Sequence, residues 1–158
     1  MKIHKRPIES RFNAVFLPVF VLLLAGCATA PALHTASGRP EVTLHGRTIQ
    51  QVRTTVINHF VNQGWAPVQT EGNQLVFERE GSHGQKLVMG LMTNNPQATN
   101  RITITLIDDG SDVRVVGAVA AVGANNFGGA KVVELTGKGY SELQGELESI
   151  KAQTESSG

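Results

Sequence analysis

The chain of 158 residues contains one cysteine, Cys27, so no disulfide can form within it. An odd thiol in an oxidising compartment needs some other chemical fate. Aromatic residues are scarce as well: six Phe, one Trp and one Tyr. That argues against a pocket walled by rings for stacking sugars or bases. Together with 17 glycines it points to a core of Val, Ile, Leu and Ala in strands and turns relaxed by glycine. No apolar run is long enough to cross a membrane as a helix, which takes about 20 residues for about 30 Å of hydrocarbon. The most apolar stretch, residues 14–24 (AVFLPVFVLLL), falls short of that and is interrupted by Pro18.

An excess of charge of one sign is also missing. The formal net charge is +1, from 14 basic and 13 acidic residues. Lys2, Lys5, Arg6 and Arg11 precede Cys27 against the single acid Glu9, which leaves ten basic and twelve acidic residues from Cys27 onward. A part near −2 has no electrostatic footprint for nucleic acid, whose binding depends on clustered Lys and Arg. No basic run is aimed at an anionic membrane surface either.

What is present begins with an ordered leader. A charged segment, residues 1–13, precedes the apolar stretch 14–24, and Leu24-Ala25-Gly26-Cys27 follows, the order that a secretory signal requires. Leu24, Ala25, Gly26 and Cys27 match every position of the lipobox, and on these residues the chain resembles the prokaryotic membrane lipoproteins. The resemblance implies cleavage between Gly26 and Cys27, diacylglycerol on the Cys27 sulfur and an acylated (palmitate-type) amino terminus. The rival reading is a free or buried cysteine behind an ordinary signal peptide. Each buried methylene contributes roughly 0.8 kcal/mol, so two or more chains hold firmly where one holds weakly. Ala28, not Asp, follows the cysteine. In the sorting logic of the class this implies an outer-membrane protein facing the periplasm, rather than an inner-membrane one.

The expected organisation is a signal peptide over residues 1–26, a lipidated cysteine and flexible tether over 27–42, one domain over 43–153 and a frayed tail over 154–158. The tether composition (ATAPALHTASGRPE, residues 28–41) has no apolar period and should let the domain stand off the bilayer. His34 falls within it as a solvated residue.

The spacing of Ile49, Val52, Val56 and Phe60, widened by Ile57 and Val61, predicts an amphipathic helix over 48–63. Thr48 and Gln51 form a capping box at its start, Gly64 is its stop, and His59 sits at the edge of the apolar stripe. Strands are expected at 68–70, 75–79, 86–92, 101–107 and 113–122, the alternation of Ile102, Thr103, Ile104, Thr105 and Leu106 being the clearest. Residues 125–129 (NNFGG) read as a loop. A second helix over 138–153 lines up Tyr140, Leu143, Leu147 and Ile150. The expected fold is α+β: a two-layer domain, an antiparallel sheet of four or five strands with an N-terminal and a C-terminal helix on one face. Across roughly residues 43–152 this layout is similar to the helix-grip or TBP-like modules of envelope lipoproteins, which include barrel-assembly accessory subunits.

Catalytic patterns are sparse, and the chain is not read as an enzyme. The sole thiol belongs to the lipobox, no serine stands in a GxSxG elbow, and His4, His34, His45, His59 and His83 share no HExxH spacing. Asp108, Asp109 and Asp112 lie in a turn without the regular acidic spacing or closing glutamate of an EF-hand. No glycine-rich loop matches a phosphate-binding pattern, so neither a cofactor nor a metal is expected. The expected role is a membrane-anchored, non-enzymatic accessory subunit that binds another envelope protein through the open sheet face or an edge strand. Trp65 is the one candidate interaction residue, its other reading being a cap on the core where helix meets sheet. The alternative is a module for a small hydrophobic ligand or lipid. It requires Val88, Leu91, Val115 and Val119 to surround a space rather than pack under the helices.

Overall fold

The computed structural model describes residues 33–81, 98–124 and 129–156. In chain order the elements are β1 (Glu41–His45), α1 (Ile49–Asn62), β2 (Ala66–Gln69), β3 (Gln74–Glu80), β4 (Ala98–Asp108), β5 (Asp112–Ala124), β6 (Ala130–Glu134) and α2 (Lys138–Ser156). The strands form one antiparallel sheet in the order β1-β5-β4-β3-β2, and β6 also pairs with β5. β1 takes the first half of one β5 edge, opposite Asp112 to Val116, and β6 takes the second half, opposite Ala120 to Ala124. The expected α+β domain with two helices on one side of an antiparallel sheet is what forms.

Local chemistry accounts for the helix boundaries. The Thr48 hydroxyl accepts the Gln51 N–H at 3.3 Å while the Gln51 amide oxygen accepts the Thr48 N–H at 2.9 Å. Two of the donors orphaned at a helix start are thus satisfied, a cap typically worth about 1 kcal/mol. Gly64 ends the helix with a φ of 82°, which a side chain would strain. The Trp65 N–H then returns to the Phe60 carbonyl at 3.0 Å.

Val52, Val56 and Phe60 from α1 meet Tyr140, Leu143, Leu147 and Ile150 from α2 over Leu75, Phe77, Ile104, Leu106, Val113 and Val115 in a single core. Helix and sheet approach closely at Gly117, where an added Cβ would lie 2.7 Å from Leu143 Cδ2. A missing side chain there admits the leucine.

The sequence expectations differ from the structure in several places. β1 and β6 were not anticipated: each is only five residues long, EVTLH and AKVVE, and the first lies in the stretch read as tether. The tether itself is shorter than expected, because Leu33 packs against the core, Pro40 is buried and Val42 is 5% exposed. The tail does not fray at Thr154: α2 continues to Ser156, and Arg47 donates to the Thr154 carbonyl at 2.6 Å. The strand expected over 86–92 lies outside the described residues.

Candidate functional site

Two surfaces of the domain carry features beyond packing. The first is a cleft between the C-terminal end of α1, the N-terminal half of α2 and the sheet. Phe60, Trp65, Ile102, Val119, Leu135 and Leu143 make its apolar wall, while Gln63, Arg79, Asn100, Glu142 and Glu146 supply polar groups. It holds about 220 Å³, below the roughly 300–1,000 Å³ of ordinary small-molecule pockets.

The aromatic side of the cleft follows from the turn at Gly64. The return of the chain to Phe60 places the Trp65 ring edge-on to the Phe60 ring, centroids 6.3 Å apart, and Phe77 lies 5.1 Å from Phe60 on the other side. Arg79, two residues along β3 from Phe77, sets its guanidinium 4.3 Å over the Trp65 ring.

The polar side joins the helices. His59 in the last turn of α1 and Gln63 at its C-cap both reach Glu146 on α2: His59 Nε2 at 2.8 Å and Gln63 Nε2 at 2.6 Å from Oε2. The His59 side chain is 7% exposed. Burial pushes the Glu146 carboxyl up, but the hydrogen bonds from Gln63 and His59, with the nearby charges of His59 and Arg79, outweigh it and hold the group below the ordinary carboxylate range. This network fastens α1 to α2 at the cleft rim. Elsewhere burial and the Glu134 carboxylate push the Tyr140 hydroxyl up.

The second surface is the sheet face away from the helices. Antiparallel register lines up Val76, Thr103 and Ala118 in one row. The row on one side is Gln74, Thr105, Val116 and Glu41, and the row on the other is Glu78, Arg101, Ala120 and Glu134. Charged pairs flank the central strip: Arg101 with Glu78 at 2.5 Å, and Arg114 with Glu41 at 3.7 Å. Val76, Thr103, Thr105, Val116, Ala118 and Ala120 are all half-buried, and among the described residues no helix covers them.

The candidate residues fall as follows. Gly26 and Cys27, the cleavage and lipidation positions, lie outside the described residues, as do Val88, Leu91, His4 and His83. Trp65 is 7% exposed, so it packs at the core boundary and is not the exposed anchor that a partner would grip. Val115 is fully buried under the helices, whereas Val119, 9% exposed, borders the cleft.

In the acidic turn, Asp108 accepts the Gly110 N–H at 3.0 Å, and Asp112 pairs with His45 at 2.8 Å and accepts the Gly46 N–H at 3.2 Å. The His45 and Gly46 hydrogen bonds hold the Asp112 carboxyl below its ordinary range. Its oxygens are committed to joining β1 to β5. Among the described residues no group of three His, Cys, Asp or Glu side chains is placed to hold a metal ion.

Sequence reasoning missed Arg79, Gln63 and Glu146. The four-residue spacing of His59 and Gln63 was a visible signal for a shared helix face, but Glu146 joins them only through the packing of α2 on α1. No protein-family model matches the chain, and no curated protein matches it.

Proposed function

We propose that the chain is an envelope lipoprotein, held by lipid on Cys27 to the outer membrane and facing the periplasm, whose domain acts without catalysis as an accessory subunit that binds another envelope protein. The lipobox Leu24-Ala25-Gly26-Cys27 supports the anchor. The observation that carries the binding role is the sheet face that no helix covers among the described residues. In a sheet with one face in water the outward residues are expected to be polar, yet here Val76, Val116, Ala118 and Ala120 lie beside Thr103 and Thr105 in a strip of small, uncharged side chains between ion pairs. That composition suits an apolar interface centre with a charged rim. The layout of a strand, a helix, an antiparallel meander and a second helix on one sheet is compatible with the likeness to envelope accessory modules. The cleft, at about 220 Å³, is too small to favour the reading as a lipid carrier.

The anchor is tested by radiolabelled palmitate incorporation and membrane fractionation: both are expected for the native chain and lost in Cys27→Ala. Docking is tested by photoreactive residues introduced one at a time at Thr103, Ala118 and Asn58 in intact envelopes. A discrete adduct of common size from Thr103 and Ala118, absent from Asn58 on the exposed side of α1, is the expected result. Adducts from Asn58 alone, or from none of the three, overturn it.

A further inference from the structure

The end of the tether is fixed to the domain at a definite place. Leu33 packs against the core. The buried Pro40 accepts the Gly117 N–H on its carbonyl at 2.7 Å. Between them the Thr35 hydroxyl donates to the Arg39 carbonyl at 2.5 Å, the Ser37 N–H donates to the Glu41 carboxylate at 3.2 Å, and Arg39 pairs with Glu134 at 3.4 Å. Leu33 borders a shallow hollow with Val42, Thr43, Gln144 and Glu148, where β1 meets the middle of α2. The chain therefore joins the domain at one edge of the sheet, since β1 is one edge strand and β2 the opposite one.

Only residues 28–32 separate this attachment from Cys27. The six Cα-to-Cα steps from Cys27 to Leu33 reach at most about 21 Å when fully extended. A domain of about 120 residues has a radius of gyration near 13–14 Å and is about 35 Å across. Four strand spacings of about 4.8 Å put β2 about 19 Å from β1 before any side chain is counted. With the β2 edge on the bilayer, the strand spacing alone would take up nearly the whole reach of the tether, and holding the tether taut costs conformational entropy.

Resting on the lipidation of Cys27, we infer that the domain lies against the phospholipid headgroup layer on its β1–α2 side and turns the β2 edge toward the periplasm. Ala36 and Ser37, small and exposed, are then the domain residues next to the headgroups. Val68, 59% exposed on β2, faces away. The orientation leaves the bare sheet face standing across the membrane plane, open to a partner from the side.

Cys27 is the only thiol and would be acylated, so a second cysteine can be labelled alone. The full-length lipidated chain, carrying Ala36→Cys or Val68→Cys with a fluorophore, is reconstituted into phosphatidylethanolamine–phosphatidylglycerol vesicles containing a nitroxide headgroup quencher. Quenching at position 36 is expected to exceed that at position 68 by at least about threefold, given a separation of about 20 Å or more. Inserting about twelve Gly/Ser residues after Ala28 should bring the two values together, because a flexible linker of that length no longer restricts the orientation. Equal quenching with the natural tether, or stronger quenching at position 68, in protein that is acylated and vesicle-bound overturns the orientation and leaves the anchor standing. A chain that takes up no palmitate and stays off the vesicles overturns both.

Discussion

The two faces of β5 are written in the same thirteen residues and meet opposite surroundings. Val113, Val115, Gly117, Val119 and Ala121 point under the helices and are buried, while Arg114, Val116, Ala118, Ala120 and Val122 point away and are half-buried. Apolar character does not separate the two rows. Shape does. The covered row is uneven, with the gap at Gly117 filled by Leu143, as close packing requires. Beyond Arg114, which reaches across to Glu41 and Asp109, the other row is made of Val and Ala only, with no helix among the described residues packed onto it. Packing against the helices explains the first pattern, whereas among the described residues nothing packed on the second accounts for it.

The contrast is broken most severely from the covered side. Phe60 is fully buried between Trp65 and Phe77, so Phe60→Ala should cost about 3–5 kcal/mol through lost transfer energy and the cavity left behind. Val132, 56% exposed on β6, belongs to the bare side, and Val132→Ala should stay within about 0.5 kcal/mol. Urea denaturation of the two variants checks the pair. Similar midpoints would mean that the faces do not differ in packing.

A finer comparison uses adjacent residues of β5. In Gly117→Ala the new methyl meets Leu143 Cδ2 at 2.7 Å and Ile104 Cδ1 at 3.4 Å. Overpacking of this kind costs about 1–3 kcal/mol, offset in part by the lower entropy of the unfolded chain. Ala118→Val enlarges the bare face by a similar step and should leave thermal stability nearly unchanged, while weakening the crosslink from Thr103 if that strip is a contact. Shortening the obstructing side chain in Gly117→Ala/Leu143→Val should recover part of the lost Tm. A double variant no more stable than Gly117→Ala would remove Leu143 from the explanation.

What was legible in the sequence divides along the same line. Helix α1 could be read to its caps, because Thr48, Gln51 and Gly64 act within a few residues of one another. The stripe of α2 was equally plain. β1 was hidden because its evidence is non-local: EVTLH becomes a strand through Glu41 to His45 pairing with Val116 to Asp112, about 70 positions away along the chain. The Gln144 side chain then holds its outer edge, accepting the Glu41 N–H at 2.8 Å and donating to the Glu41 carbonyl at 3.1 Å. Trp65 could be placed at the junction of helix and sheet, but not the Arg79 guanidinium stacked on it. The flush strip on the bare face needed the register of three strands before Val76, Thr103 and Ala118 could be seen as one row.

The smallest effect tests the junction between the helices rather than either face. Glu146 accepts hydrogen bonds from His59 and Gln63, and its carboxyl is held below the ordinary range despite the opposing push of burial. A group whose folded value is depressed stabilises the fold above its unfolded value, near 4.3 for glutamate, and loses that contribution as pH falls through the lower folded value. In Glu146→Gln this dependence is absent. Native protein should therefore lose more Tm than the variant as pH drops from about 5 to about 3, while the two keep a constant offset between about pH 5 and pH 6 as far as this carboxylate is concerned. Because Glu146 is more than a third exposed, the difference should be smaller than that from Gly117→Ala. Parallel acid profiles for the two proteins would show that the hydrogen bonds linking α1 to α2 do not favour the ionised carboxylate.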